Sequence, residues 1–285
     1  KNVAHREKLS SAAAEYGRLL GKIHAAPTNW FSPFIEEGVA AYPFLQSLPE
    51  AGSFLWLYQY RDEEFKASMT YHSAEPERLQ RLQALLAALP TPRCHALARL
   101  VTSHGDLWYA NVLWNPEGGG LLACDLESSC VMRGIYDWMH CQILWYTQPQ
   151  LAMWKRDPDA PNLVRTMLRA YLEQLGEPAG PGDVDVALFD IRSFTLGSLY
   201  IREGLDAMYY GPYRDPEDGE GVKGVNDDAA QYDDAMHNIE AWQQRMQIVW
   251  DDPEQRRAFV GAGWLESNSG DTPFWKRRDD FEPKY

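Results

Sequence analysis

The sequence predicts an α+β fold that is predominantly helical and carries one small β-hairpin. Apolar residues recur at the three- and four-residue spacing of amphipathic helices over much of the chain. Two short apolar runs flank the turn sequence NPEGGG, a pattern typical of a β-hairpin. The chain has 285 residues, 45% of them hydrophobic, and shows no internal repeat. It is therefore long enough to bury a sizeable core.

The predicted helices are delimited by apolar faces and by proline or glycine stop signals. The first ends before Pro27, and its apolar face comprises Leu9, Ala13, Tyr16, Leu20 and Ile23. Within this helix, Gly17 and Gly21 lower the helix propensity slightly but leave room for another backbone to approach closely. Further helices are predicted over residues 53–72, 76–89, 93–101, 163–176, 184–211 and 229–250.

Two other segments lack helical periodicity. Residues 213–228 form an acidic, glycine-rich stretch that predicts a loop. The sequence GEGVKG within it, including Lys223, fits G-x-G-x-x-G literally, but no predicted strand precedes it and an acidic loop repels phosphate. We therefore interpret it as unrelated to nucleotide binding. From residue 265 the chain is polar with isolated aromatics, which predicts a main domain over 1–264 and an extended tail over 265–285.

The composition is acidic, since 27 Lys and Arg residues stand against 41 Asp and Glu residues for a formal net charge of −14. Such a chain is repelled by nucleic acid and by anionic membranes, so neither is an expected partner. A cationic substrate or a bound divalent metal fits the charge, although solubility alone also accounts for it. No apolar run approaches the roughly 20 residues that a membrane span requires.

The four cysteines give no sign of a metal site or of a disulfide framework. Cys94, Cys124, Cys130 and Cys141 form no C-x-x-C pair and no zinc-type spacing with histidine. They predict ordinary buried thiols in a reducing compartment, cytoplasmic or organellar. The chain opens without Met and without a signal-peptide pattern. We therefore expect that further sequence precedes it and that any targeting region lies there.

Polar residues cluster around the predicted hairpin. The stretch SHGDLWYANVLW places His104, Asp106 and Asn111 between large apolar residues, where polar groups need partners or a function. Asp125 and Glu127 follow the second run, and a hairpin brings its two ends together. Three carboxylates and an amide in one small volume would repel one another unless a cation lay between them. Mg²⁺ prefers such oxygen ligands, and phosphoryl transfer uses them together with an Asp near the attacking hydroxyl.

The pattern H-G-D-L-x-x-x-N, followed by a short hairpin and D-x-E, resembles the aminoglycoside phosphotransferase and choline/ethanolamine kinase superfamily. Two other stretches are similar to segments of that family: LLGKIHAAP resembles the helix after the hinge, and RGIYDWMHCQILW resembles the segment after the metal-binding Asp. The resemblance implies a protein-kinase-like C-terminal lobe with the hairpin at the catalytic loop. It also implies ATP as co-substrate and Mg²⁺ as cofactor.

Residue roles follow from the resemblance. Asp106 would be the catalytic base or would orient the substrate hydroxyl, and His104 would brace the catalytic loop. Asn111 and Asp125 would hold Mg²⁺ and with it the nucleotide, and Glu127 would add to the metal or its water shell. Asp137 would accept hydrogen bonds from the loop backbone, and Arg133 is a second residue expected to give structural support.

The resemblance leaves two functions open. The family's nucleotide-binding N-terminal lobe should precede Leu9, and this chain does not contain it. The first function is a kinase that phosphorylates an amine-bearing alcohol of the choline, ethanolamine or aminoglycoside type. The second is a non-catalytic, pseudokinase-like scaffold subunit of a larger protein assembly. A cationic acceptor could be held by carboxylates and aromatic residues, which here are Asp206, Tyr209, Tyr210, Tyr213, Glu240, Trp242 and Trp250. Trp108 could also face the acceptor. Ordinary packing in the core explains these aromatic residues equally well.

Overall fold

The computed structural model describes residues 2–33, 36, 40, 75–88, 90–107, 109–115, 120–138, 160–207, 210–214, 221–225 and 229–261. Its helices are α1 (Asn2–His24), α2 (Pro76–Ala87), α3 (His95–Ala98), α4 (134–138), α5 (Ala160–Gln174), α6 (Pro181–Ala207), α7 (Ala229–Asp251) and α8 (Pro253–Gly261). Its strands are β1 (Leu100–Ser103), β2 (Val112–Asn115), β3 (Gly120–Ala123), β4 (Cys130–Arg133), β5 (Tyr210–Arg214) and β6 (Gly221–Val225). A mostly helical fold with small antiparallel sheets agrees with the sequence prediction.

The chain divides into two compact units, each built from segments that are distant in sequence. The first comprises residues 1–32, 91–195 and 249–267, and the second comprises residues 33–90, 196–248 and 268–285. The residues predicted to form the functional site, between His104 and Asp137, all belong to the first unit.

Helices α1 and α5 pack together in the first unit through two glycines of α1. A Cβ atom added at Gly17 would lie 2.0 Å from the main-chain oxygen of Met167, and one added at Gly21 would lie 2.7 Å from the side chain of Gln174. Only glycine allows the two helices to approach so closely. The close approach that the sequence allowed at these two glycines is therefore present. The same helix buries Ala13, Tyr16 and Leu20.

The sheet of β1 and β4 forms the base on which the predicted catalytic loop is built. The two strands are antiparallel, with Ser103 opposite Cys130 and Leu100 opposite Arg133. Strand β4 is buried up to Met132, because apolar residues occupy its first three positions. Helix α4 follows β4 directly and buries Tyr136, Asp137 and Trp138. A polar residue thus lies inside the apolar core beneath the loop that follows Ser103.

Strands β2 and β3 form the hairpin that the sequence predicted. They pair antiparallel, with Val112 opposite Ala123 and Asn115 opposite Gly120. Leu113 and Leu122 face each other across the strands and are both about half exposed. The hairpin therefore connects the two ends of the predicted site, at Asn111 and Asp125.

The second unit contains α2, part of the long helix α7, and a hairpin of β5 and β6. Leu82 and Leu85 of α2 and Ile239 and Trp242 of α7 are buried. The indole of Trp242 packs where a side chain at Gly197 would otherwise lie, with ring atoms 2.4 Å from the added Cβ position. Strands β5 and β6 pair antiparallel, with Tyr213 opposite Val222.

Three local predictions differ from the structure. The helix predicted over 184–211 ends at Ala207, and residues 210–211 lie in β5. The helix predicted over 93–101 is shorter, because α3 ends at Ala98 and the chain enters β1 at Leu100. The predicted loop over 213–228 contains β6 and the end of β5, so residues 221–224 of the G-x-G-x-x-G match lie in a strand.

Three other predictions lie outside the described residues: the helix over 53–72, the tail over 265–285 and the buried thiol of Cys141. Cys94, Cys124 and Cys130 carry free thiols. Searched over the described ranges, the helices include none with the length and hydropathy of a membrane span.

Candidate active site

The loop between β1 and β2 brings Asp106 and Asn111 together. Asn111 is buried, and its side-chain Nδ2 donates to the main-chain carbonyl of Asp106 at 2.9 Å and to the carboxylate Oδ2 of Asp106 at 3.2 Å. Both contacts use the amide nitrogen. The amide oxygen Oδ1 is therefore the atom with which Asn111 can bind a cation.

Asp125 lies at the end of the hairpin, close to Asn111 along the strand pairing. The N–H of Cys124 donates to the main-chain carbonyl of Asn111 at 2.9 Å, which extends the pairing beyond β3. Asp125 then takes φ 62° and ψ 65°, a left-handed conformation, and is exposed. This conformation costs a non-glycine residue about 1 kcal/mol, and such strain is often found at functional positions.

His104 links the loop to the end of the hairpin. Its Nε2 lies 2.8 Å from the main-chain carbonyl of Cys124, and because a carbonyl only accepts, Nε2 is the protonated nitrogen and donates. Its Nδ1 accepts the N–H of Asp106 at 3.3 Å. The imidazole is buried and both of its nitrogens contact backbone. His104 therefore holds the segments that carry Asp106 and Asp125 at a fixed separation.

Asp137 supports the loop from below. Its Oδ2 accepts the N–H of His104 and its Oδ1 accepts the N–H of Gly105, each at 3.0 Å. Burial by itself raises the pKa of this carboxyl, but hydrogen bonds from His24, Ser103 and Gly105 outweigh burial and hold the pKa of Asp137 below its ordinary value. The charged carboxylate is thus stable inside the core because the loop backbone and His24 surround it with donors.

His24 and Tyr171 complete this buried network, and the sequence analysis assigned no role to either. The Nε2 of His24 donates to Asp137 at 3.0 Å, and its Nδ1 lies 2.8 Å from the hydroxyl of Tyr171. Gly134 leaves the space they occupy, because a Cβ there would lie 3.2 Å from both His24 and Tyr171. The only sequence signal for His24 is its place in LLGKIHAAP, and Tyr171 is indistinguishable from a core residue of an amphipathic helix.

Tyr16 of α1, which the sequence pattern places on an apolar helix face, also contacts the loop. Its hydroxyl donates to the main-chain carbonyl of Leu107 at 2.7 Å, and both residues are buried. Leu107 directly follows Asp106. Helix α1 thus reaches the loop directly through Tyr16 and indirectly through His24 and Asp137.

The structure describes the remaining predicted site residues only in part. Arg133 ends β4 opposite Leu100 and is half-buried. The backbone of Glu127 lies in a 3₁₀ turn over Leu126–Ser128, while its side chain and the whole of Trp108 lie outside the described part of the structure. Among the described residues, no three His, Cys, Asp or Glu side chains form a group suited to a metal ion. The predicted magnesium ligands do not form such a group, because one of them is the amide of Asn111 and another is Glu127, whose side chain is not described.

The aromatic residues considered for a cationic acceptor have other contacts where the structure describes them. Trp242 is buried in its unit. Arg93 lies over the ring of Trp250 with its guanidinium carbon 4.4 Å from the ring centroid, and Arg256 lies at 4.8 Å. The chain's own guanidinium groups therefore occupy this indole. Tyr209 and the side chains of Asp206, Tyr210 and Tyr213 lie outside the described residues.

Three comparisons with known proteins give different results. The chain resembles a solved structure, a choline/ethanolamine kinase family protein from Mesorhizobium loti, with a TM-score of 0.30 and 15% sequence identity over 90% of this chain and 69% of that chain. Among curated proteins there is no match. The model of the APH family, described as a phosphotransferase enzyme family, matches residues 2–182, which contain the whole loop, hairpin and supporting network. The chain belongs to this phosphotransferase enzyme family.

Proposed function

We propose that this protein transfers the γ-phosphate of ATP, with Mg²⁺, to a hydroxyl group of an amine-bearing small molecule of the choline, ethanolamine or aminoglycoside type. Membership of a phosphotransferase family supports the reaction class. The formal net charge of −14 supports a cationic acceptor, because an acidic protein attracts it over long distances.

One contact carries the proposal: the two hydrogen bonds from Asn111 to Asp106, at 2.9 and 3.2 Å. They hold the Asp106 carboxylate in a fixed direction at a half-buried position. They also leave the oxygen of Asn111 for a cation. Phosphoryl transfer needs this pairing of a carboxylate for the acceptor hydroxyl with an oxygen ligand for the metal.

Asp106 is the proposed catalytic residue. Its carboxylate would orient the acceptor hydroxyl and take its proton as the new bond from oxygen to the γ-phosphorus forms and the bond to the ADP oxygen breaks. Asn111 through Oδ1, Asp125 and Glu127 would hold Mg²⁺, which when bound offsets the negative charge of the phosphates. His104 and Asp137 fix the backbone between these residues.

The first test is calorimetric titration of the native full-length protein with MgATP. We expect a dissociation constant in the micromolar to millimolar range for the wild type and loss of binding in Asp125→Ala, because one carboxylate ligand is removed. Asp233→Ala, which removes an exposed carboxylate on α7, is the matched control and should bind like the wild type. An unchanged affinity in Asp125→Ala would contradict the proposed metal site.

The second test is phosphate transfer to a panel of amine alcohols, followed by mass spectrometry of the products. Asp106→Asn should keep MgATP binding but lower the transfer rate by about 100-fold or more, because it removes a base and not a metal ligand. If the native protein binds no MgATP, the kinase proposal is overturned, and the alternative of a non-catalytic scaffold in a larger assembly becomes the better explanation.

A further inference from the structure

We infer that Tyr16 is a positioning residue for phosphate transfer, because its hydroxyl fixes the backbone that leads away from Asp106. The inference rests on the proposed function and extends it to a residue of α1. Tyr16 lies outside the segment from His104 to Asp137 that contains the predicted site.

The contact is a short hydrogen bond between two buried groups. The Tyr16 hydroxyl donates to the carbonyl of Leu107 at 2.7 Å, and the two residues are 3% and 0% exposed. They are 91 residues apart in sequence. A buried hydroxyl in an apolar helix face is costly unless it has a partner, so this donor and acceptor fix each other's position.

The Tyr16 contact is one of several side-chain hydrogen bonds to the backbone of consecutive loop residues. Side chains contact a backbone group of each residue from 104 to 107: Asp137 accepts the N–H groups of His104 and Gly105, His104 accepts the N–H of Asp106, Asn111 donates to the carbonyl of Asp106, and Tyr16 donates to the carbonyl of Leu107. The peptide groups on both sides of Asp106 are therefore fixed. Two members of this set come from helices outside the loop, Asp137 from α4 and Tyr16 from α1.

Helix α1 gives the Tyr16 hydroxyl a rigid base. Gly17, the next residue, lies so close to α5 that a Cβ atom would be 2.0 Å from the oxygen of Met167. The backbone beside Tyr16 cannot move toward α5, and the tyrosine ring is buried. The loop must therefore keep the carbonyl of Leu107 where α1 places the hydroxyl, and the direction of Asp106 follows from that position.

The test compares Tyr16→Phe with Tyr232→Phe in the full-length protein. Tyr232 is a matched control, because its hydroxyl also donates to a main-chain carbonyl, that of Arg81 at 3.0 Å, but in the second unit. Both variants should lose similar thermal stability. Only Tyr16→Phe should lower kcat, by about tenfold or more, with KM for ATP and for the acceptor within twofold of the wild type, because a misdirected base slows the chemical step without weakening binding.

Equal kcat values in the two variants, or a change in KM alone, would overturn the role of Tyr16. A wild type that transfers no phosphate would instead refute the proposed function. In that case hydrogen–deuterium exchange of the peptide covering residues 103–111 tests the structural part of the inference, that Tyr16 fixes the loop backbone. Faster exchange in Tyr16→Phe than in Tyr232→Phe supports it, and equal exchange overturns it.

Discussion

Asp190 is a buried carboxyl whose environment opposes its charge. Its Oδ2 accepts the N–H of Cys94 at 2.7 Å, and Arg93 lies 3.8 Å from its Oδ1. Burial raises the pKa of Asp190 to about 6, and the hydrogen bonds and Arg93 offset only part of this effect. A carboxyl with this pKa changes protonation within the pH range in which proteins are handled.

The pKa of Asp190 predicts a stability that falls as pH rises. Because the folded-state pKa lies above the unfolded value of about 4, the folded protein binds an additional proton between about pH 4 and 6. The stabilising contribution is complete below about pH 4 and is lost as pH rises through about 6. Asp190→Asn keeps an oxygen acceptor for Cys94 and should be more stable than the wild type at pH 8, by up to about 3 kcal/mol.

Urea unfolding at pH 5 and pH 8 measures this difference. The advantage of Asp190→Asn should be larger at pH 8, and Asp233→Asn, at an exposed position, serves as the control. Asp137 has the opposite shift, so its contribution is present above about pH 4 and is lost at lower pH, outside this window. The same advantage at both pH values would contradict the assignment to Asp190.

At the residue scale, the sequence indicates which side chains could form the site, and the resemblance names His104 and Asp137 as supports, but the residues behind them are not indicated. Asp106, Asn111 and Asp125 are recognisable because polar residues at loop and hairpin ends stand out from apolar surroundings. Tyr16, His24 and Tyr171 lie on helix faces where apolar burial alone would explain them. Their hydrogen bonds join residues between 91 and 147 positions apart, and one sequence contains no signal for such pairings.

The packing of α1 against α5 predicts opposite effects for two glycine-to-alanine changes. Gly17→Ala would place a methyl group against the oxygen of Met167 and should destabilise the fold by about 1 to 3 kcal/mol, despite the better helix propensity of alanine. Gly182→Ala, in α6, has nothing within 4 Å and should stabilise the protein by up to about 1 kcal/mol. Thermal unfolding of the two variants checks this, and a raised midpoint for both would contradict the close helix contact.

At the element scale, local signals predicted some elements well and others poorly. The hairpin of β2 and β3 and helix α5 follow from a turn sequence and from apolar periodicity within the segment itself. The predicted helix over 93–101 includes the first two residues of β1, because the partner strand β4 lies about 30 residues away and only that pairing makes β1 a strand. The end of β5 and all of β6 contain glycine and charged residues, which are uncommon in strands and therefore favoured a loop over 213–228.

The charge of the whole molecule predicts how salt affects the proposed reaction. A net charge of −14 attracts a cationic acceptor over distances that ions screen at high ionic strength. Raising NaCl from about 0.05 M to about 0.5 M should lower kcat/KM for an amine-bearing acceptor several-fold. A neutral alcohol of similar size should change much less. Equal salt dependence for the two acceptors would contradict electrostatic attraction of the acceptor.

At the scale of the whole molecule, the sequence predicted a mostly helical fold class and the family. The family match over residues 2–182 agrees with the resemblance drawn from the loop and hairpin motifs. The boundary predicted at residue 264 rested on composition, which changes there. That boundary stays a prediction. The two compact units are defined by contacts between distant segments, such as those of α1 with α5, and composition carries no information about such contacts.

Because the first unit is built from segments that are distant in sequence, a ribosome synthesises its contacting parts at different times. Synthesis at about 5 to 20 residues per second separates Tyr16 from Leu107 by about 5 to 20 seconds. Helix α1 therefore emerges long before the carbonyl that its tyrosine binds. The unit is complete only after α8, where the main-chain oxygen of Phe259 accepts a hydrogen bond from buried Arg192. Until then, the apolar helix faces that α8 covers lack this partner.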